Sequence, residues 1–320
     1  MAIAKASDFS IYQDEFFGGA YEVIERNLDA FNAASRNCIQ LVTERHRGDF
    51  QTKSFFKNVS GGLITRRDTT SVADLTPSGL TMDDAKSPKV NRRIGPVSDT
   101  LDAFRKLNED PSLMSLILGK QIGPEMFADM LDTAVLATAN ALAGVAALEY
   151  DGTAATIVSA RLIDALTLFG DRSGRIACWV MHSKVFADLT KEQLALAVTN
   201  ITDVNIATGA PVTMNRPIIV IDSDSLIESG SPDTYITLGL VEGGCILKES
   251  EEQVIESQTQ LGKENIVAIV QGEYAFTVSV KGFDYTGGAN PTDGTLGTSG
   301  NWTQVVDSVK ACAGVRLITQ

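Results

Sequence analysis

The stretch RIACWVMHSKVFADLT (175–190) carries a cysteine and one of the chain's two histidines, Cys178 and His182, four positions apart. Together they could supply a thiol and its base. A cysteine nucleophile needs a lowered pKa from a neighbouring cation, a helix N-terminus or partial exposure. If 175–182 is a strand, positions 178 and 182 share a face but stand roughly 13 Å apart, at about 3.3 Å per residue. A working nucleophile and base meet at about 3 Å. The pair therefore reads as a small core residue and a strand end, with Ser183 placed to cap a following helix. The other histidine, His46, lies in a charged segment that offers poor positioning.

The remaining chemistry-bearing residues are sparse. Asp83-Asp84 and Asp222/Asp224 are paired carboxylates, yet neither pair has a third ligand or a glycine-turned calcium loop. Cys38, Cys178, Cys245 and Cys312 are single and widely spaced, which excludes a zinc cluster and suits reduced, buried thiols. No GxGxxG, GxxxxGK[ST], GxSxG or HExxH pattern occurs. No catalytic residue, cofactor or metal ligand is expected. The competing reading from another class is a Cys/His hydrolase, which thiol labelling at Cys178 would test.

The elements that would position these residues are legible from periodicity. Apolar residues from Tyr12 to Thr43, Phe16 and Phe17 among them, recur at helical spacing. Residues 46–110 are rich in Gly, Ser, Thr, Asp and Arg, with basic pairs at Arg66-Arg67 and Arg92-Arg93; pieces such as GLITRRD suggest an extended hairpin. Gly123-Pro124 sets a proline at the start of a long helix to about residue 148. Helices are expected over 156–171, capped by Gly170, and over 183–200, where Thr190 and Gln193 have capping-box spacing. Buried strands are expected at 175–182 and 217–224. Residues 234–241 and 243–249 read as a hairpin around Glu-Gly-Gly, and the acidic run ESEEQVIES (249–257) as solvated surface. Residues 264–286 read as a strand pair or bent strand, and 302–319 alternate apolar residues.

With 320 residues, 44% of them hydrophobic, the chain can bury a large core. Its start lacks a secretory pattern, and the longest apolar stretch, 136–148, is too short for a bilayer, so no membrane role is expected. Net charge is −13, unevenly spread: residues 1–110 carry 15 cations and 16 acids, residues 111–320 carry 12 and 24. Such a balance disfavours tight nucleic-acid binding through counterion release. The sign-mixed loop suits an arm that pairs with a neighbouring copy.

The order of parts, together with RIACWVMHSKVFADLTK, GAPVTMNRPIIVIDSDSL (209–226) and the strand run of 235–285 with QGEYAF at 271–276, resembles the major capsid proteins of tailed double-stranded DNA bacteriophages. The resemblance implies an α+β chain of the HK97-type capsid fold. It would comprise an N-terminal arm (1–45), an extended E-loop (46–100), a P-domain with the spine helix (101–150), an A-domain (151–255) and return strands with a C-terminal elaboration (256–320). It implies self-assembly as hexamers and pentamers into an icosahedral shell around phage DNA, held without sequence-specific contacts. Portal and scaffolding proteins, and a decoration protein, are the implied partners, and the virion is the implied location. Arg66, Arg67, Arg92, Arg93, Phe16 and Phe17 are the expected intersubunit contacts. An encapsulin-like shell is the alternative within that fold.

Overall fold

The computed structural model describes residues 31–57, 64, 66–77, 79–100, 111–199 and 216–320. Residues 31–34 are helical, and the chain then turns through Arg36 and Asn37, both at positive φ, into strand β1, Ile39–Thr43. The helical reading through Thr43 is corrected here: the β-branched run IQLVT pairs in parallel with a later strand instead.

Strand β2, Phe50–Phe56, pairs antiparallel with β3, Met82–Thr100, through Phe50↔Pro88 to Phe56↔Met82. This is the expected hairpin, but GLITRRD is not one of its strands; the described residues between 64 and 81 lie outside any strand. At about 3.3 Å per residue, β3 is roughly 60 Å long, enough to join the loop to the body.

Helix α1, Pro111–Ala143, starts well before the expected position and carries Pro124 inside it. Pro111, not Pro124, occupies the first position, where a missing N–H costs nothing. Pro124, inside the helix, has no N–H to give the carbonyl of residue 120 and its ring crowds that carbonyl, a local cost of about 3 kcal/mol. Instead of one apolar stripe, α1 is enclosed on all sides from Thr133 to Leu142, where no residue is exposed. Ala134, Ala137, Ala139 and Ala141 let neighbours approach closely, and Thr138 returns its hydroxyl to the Ala134 carbonyl at 2.7 Å.

Then follow β4 (Glu149–Gly152), α2 (Ser159–Thr167), β5 (Ile176–Met181), α3 (Ser183–Thr199), β6 (Ile218–Val220), β7 (Ile227–Glu228) and β8 (Thr234–Val241). Gly170 does take a left-handed φ of +51°, but it does not cap α2: the helix stops at Thr167 with Leu168 as its C-cap, and Gly170 instead opens the 3-10 turn Gly170–Arg175. Thr190 lies inside α3 rather than at a cap, bonding back to the Phe186 carbonyl at 2.8 Å. Next come β9 (Cys245–Gln260), β10 (Val267–Val280), β11 (Phe283–Tyr285), the short helix α4 (Asp293–Leu296), β12 (Trp302–Gln304) and β13 (Gly314–Thr319).

Two main sheets share one hydrophobic core with α1. The first has the order β1-β9-β10-β3-β2, the second β4-β13-β8-β5-β6 with β7 on β8. The expected hairpin over 234–249 does not form, because β8 and β9 belong to different sheets. Gly243, at φ +64°, and Gly244 carry the chain across the seam, and a Cβ on Gly244 would sit 2.8 Å from the Ala313 carbonyl oxygen. Residues 249–257 are likewise strand, not loose surface: Ser250, Gln253 and Ile255 face inward while Glu251, Val254 and Glu256 face out. The closing strand β13, expected as a C-terminal elaboration, is buried at every position and sits between β4 and β8. A third, two-stranded pairing joins β11 to β12.

The seat of Trp179 in β5 illustrates how tightly the second sheet is built. Gly239 of β8 pairs with both Trp179 and Val315, and a Cβ there would lie 2.7 Å from the indole and 3.0 Å from a Val315 methyl. Gly239→Ala is expected to cost about 1–3 kcal/mol through overpacking, read as a lowered urea midpoint with an unchanged slope.

Candidate functional site: an exposed loop and the clamp at its root

The loop between β2 and β3 presents large apolar side chains to solvent: Ile64 is 95% exposed, Val72 100% and Leu75 93%. Phe56, Leu80 and Met82 continue the series at its base. Arg66 and Arg67 are exposed beside them. Apolar groups gathered in this way mark a surface made to be covered. Local polar contacts shape the loop: Lys57 pairs with Asp83 at 2.6 Å, and Asp68 accepts from the Thr70 hydroxyl and N–H at 2.7 and 2.9 Å. Those hydrogen bonds from Thr70 hold the Asp68 carboxyl below its usual range.

At the root, β3 is fastened to the body by Arg92. Its guanidinium donates to Asp129 of α1 at 3.1 Å, to the Thr133 hydroxyl at 3.0 Å, and to both carboxylate oxygens of Asp293 in α4 at 2.6 and 3.2 Å. Tyr274 of β10 adds its hydroxyl to Asp129 at 2.7 Å. Burial opposes the Arg92 charge, but the Asp293 hydrogen bond and both carboxylates outweigh it and raise its pKa. Burial, then Asp129, pushes the Tyr274 phenol upward too. Lys89, only 5% exposed, makes a second fastening to Glu251 of β9. Arg92 is thus held by three partners of its own chain, whereas Arg93 lies exposed on the opposite face of β3, across from Glu273. Phe16 and Phe17 lie outside the described residues.

The sequence signal for the loop was its basic pairs. The apolar tips were harder to find, because Ile64, Val72 and Leu75 are isolated and follow no period. The clamp could not be read at all: Asp129, Asp293 and Tyr274 are separated from Arg92 by 37, 201 and 182 positions.

The structure keeps Cys178 and His182 apart. Cys178 is fully buried in β5, hydrogen-bonded to Cys38, and that contact together with burial raises its thiol pKa far from a thiolate's. His182 caps α3, its Nδ1 accepting from the Lys184 N–H at 3.1 Å, while Nε2 faces Asp222 at 3.6 Å. Asp222 also accepts from Ser183, the main reason its carboxyl pKa is lowered. Cys245 and Cys312 are buried too, and burial pushes each thiol to about 12. Among the described residues no group of three or more His, Cys, Asp or Glu side chains could hold a metal, and no helix is long and apolar enough to cross a membrane.

Comparison with solved structures places this architecture among viral shells. The capsid of cyanophage Pam1 superposes with a TM-score of 0.54 at 13% identity, over 88% of each chain. The capsid of Helicobacter pylori bacteriophage KHP30 gives 0.52 at 10% identity over 89% of each chain. That of Ralstonia phage GP4 gives 0.52 at 10% identity, over 88% of this chain and 87% of its own. At such identities the likeness is one of fold, an α+β HK97-type fold. No curated protein matches the chain. The family model Gp13-like, described as major capsid protein 13-like, matches residues 8–316. A match of that length, on a chain with this fold and a loop that displays apolar tips, makes the protein a member of the Gp13-like major capsid protein family, a structural component of a phage shell.

Proposed function

We propose that the chain assembles as hexamers and pentamers into an icosahedral shell around double-stranded phage DNA, formed in the cytoplasm of the host bacterium and carried in the virion. The extended loop is laid over a neighbouring copy, where Ile64, Val72 and Leu75 are covered and Arg66 and Arg67 meet carboxylates. Guanidinium forks bind carboxylates bidentately, so the two arginines set register while apolar burial supplies the drive. The Arg92 clamp acts within the chain, holding β3 at a fixed angle so that the loop reaches its target. The role is structural rather than enzymatic. A portal, a scaffolding protein and a decoration protein are the further partners.

The observation that carries this reading is the exposure of Ile64, Val72 and Leu75 on a loop that projects from an otherwise well-buried core. Negative-stain microscopy of the purified chain tests it. Closed shells or free capsomers are the expected result, and a stable monomer at micromolar concentration overturns it.

A further inference from the structure

We propose that His46 is an acid-operated latch on the root of the extended loop: neutral, it seats the segment between β1 and β2 on the first sheet, and protonated, it lifts that segment off. The geometry begins with one row of side chains across the sheet. Thr277 of β10 pairs with Lys89 of β3 on one side and with Lys248 of β9 on the other, so the three share a face. The segment leaving β1 lies on that face. Backbone hydrogen bonds tie it down, from the His46 N–H to the Ser250 carbonyl at 3.3 Å and from the Lys89 N–H to the Asp49 carbonyl at 2.9 Å. The imidazole meets the middle of the row, its Nε2 3.3 Å from the Thr277 hydroxyl. Its Nδ1 is buried and finds no hydrogen-bond partner among the described residues.

The charges around the ring leave little room for another cation. Lys89 pairs with Glu251, and Lys248 with Glu44, which also accepts from the Gln51 amide at 3.0 Å. Glu249, across from Phe276, belongs to the other face of the sheet. β10 offers Thr277 here and no titratable group. Arg45, Arg47 and Asp49, on the segment itself, are exposed. A proton on His46 places a third cation in a row that already holds two, and one of those, Lys89, is only 5% exposed. It also gives the buried Nδ1 a hydrogen with nothing to receive it. Burial first and Lys89 next hold the imidazole below its usual 6.5, against an opposing pull from Glu44.

Above pH 6.5 the ring is neutral whether the segment is seated or lifted, and the latch is shut. Below it, the lifted form takes up a proton that the seated form refuses, so seating is lost as pH falls. One linked proton raises the ratio of lifted to seated chain about tenfold for each unit of pH, until the seated ring is itself charged. Lys248 keeps the Glu44 carboxyl below its ordinary range, so that acid stays charged across this window and the response belongs to the imidazole. The segment runs directly into β2, which lies at the edge of its sheet. Its release therefore loosens one strand of the loop while the Arg92 clamp keeps the other.

Hydrogen exchange of the full unassembled chain, read on the peptide covering residues 44–50 and corrected for the intrinsic pH dependence of exchange, tests this between about pH 7.5 and about pH 5. Protection is expected to fall about tenfold per unit below about pH 6.5 in the unmodified chain. It should stay flat in His46→Gln, whose amide can still meet Thr277 and does not titrate. Equal losses in both chains overturn the proposal and assign the acid response to the carboxylates. Protection that is independent of pH in the unmodified chain overturns it as well. If His46→Gln melts early, imidazole titration by NMR replaces it. The chain has two histidines, so the His46 signal is the one that persists in His182→Gln. A His46 midpoint below 6.5 is expected, and one at or above it overturns the latch.

Discussion

Replacing Glu149 and Glu228 together by leucine is expected to destabilise the chain by about 3–5 kcal/mol, whereas Arg316→Met costs about 1 kcal/mol or less. The asymmetry follows from who is buried. Arg316, in the central strand β13, is 5% exposed and pairs with Glu149 of β4 on one side and Glu228 of β7 on the other. Its Nε finds no partner among the described residues, so the two carboxylates are what offset its desolvation. Removing both leaves a charge inside the sheet with nothing to answer it. The carboxylates, by contrast, keep 28% and 46% of their side-chain surface in water and stay solvated when the arginine goes. Methionine fills the vacated space with apolar volume of similar length. Urea midpoints of the unassembled chain read both effects. A larger loss for Arg316→Met than for the double leucine variant would show that the triad acts by attraction rather than by compensation.

That triad also marks where sequence reading stops. β5 and β8 were legible because Ile176–Met181 and Thr234–Val241 are short, β-branched apolar runs bounded by glycine, proline or serine. A run buried on both faces announces itself. Which sheet a strand joins is a different kind of information. Glu242-Gly243-Gly244 has the composition of a hairpin turn, yet it hands the chain from one sheet to the other. The deciding contacts, Cys245 N–H to the Cys38 carbonyl and Val241 N–H to the Ala313 carbonyl, span 207 and 72 positions. The same holds for residues 249–257, where four glutamates mask the alternation of Ser250, Gln253 and Ile255. On a strand with one solvated face, charge and strand are compatible, and charge density alone misled. The loop shows the reverse case: its basic pairs drew attention together, but Arg92 turned inward to Asp129 and Asp293 while Arg66 and Arg67 stayed out. Identical residue types acquire different roles from their partners, which no local window contains.

Arg66→Glu with Arg67→Glu is expected to abolish shell formation while changing the stability of the unassembled chain by no more than about 0.5 kcal/mol. Both side chains are exposed and among the described residues make no ion pair, so folding does not depend on them. Assembly does, if they meet carboxylates on another copy. Reversing two charges turns two attractions into two like-charge contacts, each costing several kcal/mol when desolvated at an interface. That penalty is repeated at every copy around a closed ring, so a modest loss per contact removes the shell altogether. Val72→Asp with Leu75→Asp separates the other half of the drive. These side chains are almost wholly exposed, so the unassembled chain again melts normally while apolar burial between copies is lost. Sedimentation velocity reads the distribution between chain, capsomer and shell, and the melting midpoint is the control. Normal shells from the arginine variant would sink the charge-pairing role of the loop. Normal shells from both variants would mean that the loop lies uncovered, and the drive for assembly would then have to come from the sheets and from α1.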